Sequence, residues 1–217
     1  MPALRADSRS RALSVPADPS RDYARRLPTQ HPTGLRLHTI TGSWFRLDSQ
    51  DALRWNWTPF GKPRYRFDSA TGMFRVRYAG DAQRVAMRER FDAEGRIVSA
   101  HALGLTLVQL TGRLRVLDLR TDDRTLDVLG LDDQINTSRA PGVWAACQQL
   151  TDLVHGWHGQ RCHGIVYRSR TTPQRSSNLA FLEHAPLTAT SLGRLGEQTS
   201  LLATSVVSDG FTVEGSF

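Results

Sequence analysis

The chain of 217 residues has only two cysteines, a single lysine and no apolar run of the roughly 18 residues that a membrane helix needs. Two cysteines, Cys147 and Cys162, without CxxC spacing, are too few for a disulfide framework and fit a reducing compartment. The arginine-studded N-terminus lacks the apolar stretch of a secretory signal, so a cytoplasmic location and no membrane partner are expected. No GxSxG elbow, no GxxxxGK[ST] loop and no GxGxxG after a strand occurs, which removes the common hydrolase and nucleotide-binding signatures. Internal repeats are also missing.

A content of 39% hydrophobic and 23% charged residues suits one globular domain with a sizeable core. The formal charge is +7, and because Lys62 is the only lysine, nearly all the cations are arginine. That skew reads first as the coding bias of a GC-rich genome. Its distribution says more: residues 1–96 hold 18 basic and 10 acidic residues, whereas residues 97–217 hold 10 and 11. Whatever anion the protein meets, the first half meets it.

Residues 1–33 are rich in Arg, Ser, Pro and Asp without periodicity and read as a flexible basic arm, leaving 34–217 as a single domain. A short aromatic strand is expected at 42–47, followed by a loop at 55–61 punctuated by Pro59 and Gly61. Phe74, Val76 and Tyr78 alternate with Arg75 and Arg77, the period of a strand with one apolar face. Asp81 is a candidate N-cap for a helix ending near Gly95. On it Ala82, Val85, Ala86 and Glu89 fall at i, i+3, i+4 and i+7, which predicts an inward-facing Glu89. A carboxylate there must be paired, protonated or used.

Further strands are expected at 101–110, 114–119, 164–167 and 178–182. A helix starting at Pro141 places Val143, Ala146, Cys147, Leu150, Val154 and Trp157 on one face, making Cys147 a core residue. Strands and helices mix without βαβ alternation, so the fold class is α+β, a compact mixed sheet with packed helices. His155, His158, Cys162 and His163 fall within nine positions, but their order matches no common zinc spacing and no metal site is expected. Trp44, Trp55 and Trp57 among many arginines are the basis of an alternative reading, a nucleic-acid-binding module.

Arg46 in WFRL, Arg66 in YRFD, Tyr78 in FRVRYAG, Glu89 in AMRERF and Ser169 in IVYRSR, followed by Asn178 in SSNLAFLE, carry a resemblance. In order and spacing, across residues 42–183, this set resembles the RES domain family. The chain departs from the family's usual pattern at Tyr65, commonly glycine, at Tyr78-Ala79-Gly80, commonly Tyr-x-Ala, and at Arg168, where proline often precedes the serine.

The resemblance implies an ADP-ribosyltransferase-like fold and a bacterial toxin of a toxin–antitoxin pair that degrades NAD. NAD is then the substrate rather than a cofactor, with phosphate or water as acceptor; transfer of ADP-ribose to a protein is the alternative. It further implies an Xre-like antitoxin as partner and no specific nucleic-acid binding. In that reading Glu89, Arg46 and Tyr78 are the catalytic residues: Glu89 stabilises the cationic ribose, Arg46 and Arg66 hold the diphosphate, Tyr78 stacks on nicotinamide or its ribose, Ser169 holds the ribose or carboxamide, and Asn178 binds substrate. Arg64, Arg75 and Arg77 are the candidates for holding an acceptor phosphate.

Overall fold

The aromatic segment at 42–47 is the end of a longer strand. In the computed structural model, which describes residues 19–120, 124–171 and 176–214, strand β1 runs His38–Asp48. It is followed by β2 (Arg77–Gly80), helix α1 (Gln83–Phe91), the short β3 (Ile97–Val98) and β4 (Thr106–Asp118). Two single-turn helices, α2 (Thr125–Val128) and α3 (Gln134–Thr137), lead into the long α4 (Pro141–His158). Strands β5 (Gly164–Arg168), β6 (Ser177–Phe181) and β7 (Leu187–Arg194), helix α5 (Thr199–Asp209) and β8 (Thr212–Val213) complete the order. The class is α+β, as the sequence predicts.

Six strands form one sheet in the order β1-β2-β6-β5-β4-β7, and β1 pairs also with β4 along its whole length. The pairing therefore returns to its starting strand, with β7 as a wing on β4. β4 replaces the two strands expected at 101–110 and 114–119: residues His101–Gly104 form a 3-10 turn and the strand then passes straight through Gly112. Gly112 faces Gly42 on one side and Leu187 on the other, and a Cβ there would lie 2.3 Å from the Pro186 carbonyl oxygen. That glycine permits a close approach and does not break the strand.

Both sheet faces are covered. α4 packs Val143, Ala146, Cys147, Leu150 and Val154 against Ile165, Tyr167 and Ala180 on one face, while Trp44, Ala79, Val166, Leu179 and Phe181 form a cluster on the other. This double coverage overturns the polar side of the alternation at 74–78, since Arg77 is as buried as Val76. Cys147 is core as expected; burial pushes its thiol up to about 12, which leaves it unreactive.

Of the expected arm, residues 1–18 lie outside the described residues, and 19–33 belong to the packed domain. Residues Pro19–Arg26 make a 3-10 helix in which Tyr23 is buried and donates its hydroxyl hydrogen bond to the Asp132 carboxylate at 2.8 Å, with Leu27 joining the core under α4. Asp81 is not the N-cap of α1. That position is Ala82, and the Asp81 carboxylate instead accepts the Ser177 N–H at 2.7 Å, tying the end of β2 to β6. The helical run ends through a 3-10 turn at Asp92–Glu94 on Gly95, left-handed at φ 71°.

Candidate active site

A cleft of about 460 Å³ opens where β1, β2, α1, α4, β5 and β6 meet. Seven arginines and one carboxylate, Glu89, line its described walls, together with Phe60, Tyr65, Tyr78, Trp144, Tyr167 and Asn178.

Glu89 is exposed, which corrects its inward placement. Met87 and Phe91, fully buried at i and i+4, define the core stripe of α1. Glu89 lies two positions from each, about 200° around the helix, and so looks away from that stripe into the cleft. Its Oε1 accepts hydrogen bonds from the Ser169 hydroxyl at 2.9 Å and the Thr171 hydroxyl at 2.8 Å. Ser169 is only 3% exposed and does not form part of the cleft wall. The structure places it against Glu89, where its hydroxyl orients the carboxylate. Thr171 shares that task and was missed.

Arg46 stands on β1 two residues before Asp48, so both side chains share one face of the strand. Its Nε reaches the Asp48 carboxylate at 2.9 Å and its Nη2 at 2.7 Å, while Nη1 donates to the Tyr78 carbonyl at 2.9 Å. Burial lowers the Arg46 pKa below the usual guanidinium value, against the support of Asp48. Arg66 is buried, donates to the carbonyls of Ile135 at 2.7 Å and Ser138 at 2.6 Å, and lies over the Trp144 ring. With five donors per guanidinium, neither arginine has all its donors taken by the carbonyl and carboxylate groups named here.

Tyr78 presents its ring to the cleft, but its hydroxyl is committed: it donates to Asp68 at 3.0 Å and accepts the Phe67 N–H at 3.0 Å. Burial first, and then the Asp68 carboxylate, raise its pKa well above the ordinary tyrosine value. Asn178 is 2% exposed and lines the cleft.

Of the three arginines considered for an acceptor anion, Arg77 is unsuited. It pairs with Asp48 at 3.2 Å, donates to Gln50 and the Asn56 carbonyl, and stacks on Trp55 and Trp57. Burial, then the neighbouring Arg46, push its pKa down to about 10, still charged at neutral pH. Arg64 and Arg75 flank Phe60 at the cleft mouth. Arg170, not foreseen, lines the cleft without a hydrogen bond or ion pair to its guanidinium among the described residues. Because the Arg77 fork joins three groups inside the protein, Arg77→Lys is expected to cost about 1–3 kcal/mol, read as a lower urea midpoint with an unchanged slope.

The sequence also hid Trp144 and Tyr167, which read only as helix and strand residues, whereas the Arg46-x-Asp48 pairing was legible from strand periodicity. The tryptophans cited for nucleic acid are taken up internally: Trp44 is buried, and Trp55 and Trp57 contact Phe181 and Arg77. The four-residue His/Cys cluster disperses into separate contacts. His155 stacks on Phe74, His158 meets His31, Cys162 is buried and His163 accepts the Arg115 N–H at 2.9 Å. No group of three or more potential metal ligands occurs among the described residues, and no described helix is long and apolar enough to cross a membrane.

Among solved structures, a chain from the crystal structure of the M. tuberculosis MbcT–MbcA toxin–antitoxin complex is similar in fold, with a TM-score of 0.54 at 16% identity. That similarity covers 86% of this chain and 99% of the other. No curated protein matches. The family model described as the RES domain matches residues 43–199, a span that holds the second half of β1, β2 through β7 and every cleft residue named above. This chain belongs to the RES domain family.

Proposed function

We propose that the protein is the toxin of a toxin–antitoxin pair and that it degrades NAD by cleaving the nicotinamide–ribose bond. The observation that carries this reading is the charge layout of the cleft: one carboxylate, fixed by two hydroxyls, among seven arginines. Breaking that bond expels neutral nicotinamide and develops positive charge on the ribose, while the substrate's diphosphate is anionic throughout. A lone carboxylate suits the first charge and a set of forked cations the second. Glu89 accepts from a ribose hydroxyl and stabilises the developing cation with the oxygen left free by Ser169 and Thr171. Arg66, with Arg46, holds the diphosphate through their remaining donors. The ring of Tyr78 packs on nicotinamide or its ribose.

On the acceptor side, Arg170 is the natural cation for an incoming phosphate, because its guanidinium is not committed to another described residue and it lines the same cleft as Glu89. Water and a protein side chain are the other acceptors. A toxin that consumes NAD needs restraint in its own cell, and an Xre-like antitoxin is the proposed partner; the similar fold comes from a toxin–antitoxin complex. The test is incubation of purified protein with NAD, with and without phosphate, and product identification by mass spectrometry. ADP-ribose 1″-phosphate identifies phosphorolysis, ADP-ribose hydrolysis, and a modified protein transfer; intact NAD in every condition refutes the reading.

A further inference from the structure

Asn178 has an unusual position. Its residue is 2% exposed, it lines the cleft, and neither Nδ2 nor Oδ1 has a hydrogen-bond partner. The backbone around it is fixed, since Asn178 pairs with Gly80 of β2 on one side and with Tyr167 of β5 on the other. Paired residues of adjacent strands share a sheet face, so this row crosses the floor of the cleft. Every residue of β6 is buried, and an amide in such a place is normally satisfied on both its donor and its acceptor side.

We infer that Asn178 reads the carboxamide of the substrate's nicotinamide ring and so determines the choice of an amide over a carboxylate at that position. A primary carboxamide is the reciprocal partner of an asparagine side chain: each donates one N–H and accepts one, in a common plane. A carboxylate supplies two acceptors, satisfies Nδ2 alone and sets its negative oxygen against Oδ1. The surroundings fit a planar ring, with Tyr167 and Tyr78 as aromatic walls of the same cleft. Ribose hydroxyls could also meet an amide, but the carboxylate that suits them is Glu89, on α1. This assignment rests on the NAD reading above and deepens it.

The test compares kcat/KM for NAD and for its carboxylate counterpart, nicotinic acid adenine dinucleotide, in the full chain and in Asn178→Leu, which keeps the side-chain size. Wild type is expected to prefer NAD by about 100-fold or more, because a site built to pair with a polar group strongly rejects an analogue that leaves its own group unpaired. Asn178→Leu should bring the two substrates within about tenfold, by loss on NAD alone, and should not lower the Tm of the free protein, since no internal bond is removed. An equal loss on both substrates, or an unchanged ratio, overturns the assignment in favour of a ribose or purely structural role.

Binding of free nicotinamide and free nicotinate, followed by NMR, supplies a readout without turnover. Preference for nicotinamide that disappears in Asn178→Leu supports the assignment even if NAD is not consumed, in which case only the catalytic reading fails. Equal binding of the two by wild type overturns the assignment however the variant folds.

Discussion

Glu89→Gln is expected to abolish NAD loss while leaving the protein folded, a drop of about 10²–10³-fold or more in kcat. The substitution keeps the shape and the ability to accept from Ser169 and Thr171 but removes the charge that the proposed mechanism sets against the ribose cation. Glu89 is exposed and makes no ion pair among the described residues, so the Tm should stay within a degree or two of wild type. The measurement is nicotinamide release by the purified variant beside its thermal melt, with growth inhibition on induction as the cellular counterpart. Wild-type turnover in a folded Glu89→Gln protein removes this carboxylate from the mechanism.

The second large effect lies far from the cleft in sequence. Asp209, the last residue of α5, has a side chain with 0% exposure and receives both Arg84 and Arg88. Arg88 also donates to the Thr171 carbonyl, and the Thr171 hydroxyl holds Glu89. Asp209→Asn leaves the buried Arg88 without its counter-charge and is expected to destabilise the fold by about 3 kcal/mol, a fall in Tm on the order of 10 °C for a chain of this length. Burial by itself raises the Asp209 pKa, but the hydrogen bonds and charges of Arg84 and Arg88 prevail and bring it down to about 2. A carboxylate depressed in the folded state stabilises fully above its unfolded value, near 4, and loses that contribution as the pH falls through about 2. Urea melts across this range should therefore show a constant gap between wild type and Asp209→Asn at neutral pH that narrows below pH 4. A gap that is small at pH 7 would show that Arg88 does not depend on Asp209.

What the sequence revealed and what it hid divide along physical lines. Local pattern gave α4 from its first residue, Pro141, through the apolar stripe at helical spacing on one face, and gave the strands β5 and β6 through their short apolar cores. The resemblance brought together Arg46, Arg66, Tyr78, Glu89 and Asn178, all of which line one cleft. Helical spacing failed at Glu89, where α1 sits on the edge of the core and four apparently aligned positions span the boundary between core and cleft. The strands expected at 101–110 and 114–119 are one strand, because Gly112 between them meets a neighbouring backbone, and a glycine required for such an approach looks, in sequence, like one required by a turn. The contacts of Ser169 with Glu89 and of Arg88 with Asp209 join residues 80 and 121 positions apart, and no local pattern encodes such pairings.

The strand pairing bears on when activity can arise during synthesis. β2, which carries Tyr78, takes its hydrogen bonds from β6, Arg77 opposite Phe181, and Glu89 is oriented by a segment that follows β5. At bacterial elongation rates about 100 residues of further synthesis take roughly 5–20 s, during which the arginines of the first half are already exposed but the cleft has no floor. The cleft is thus incomplete until most of the chain has been translated, and under the proposed function that interval would give an antitoxin made alongside it time to accumulate before the first cleft closes.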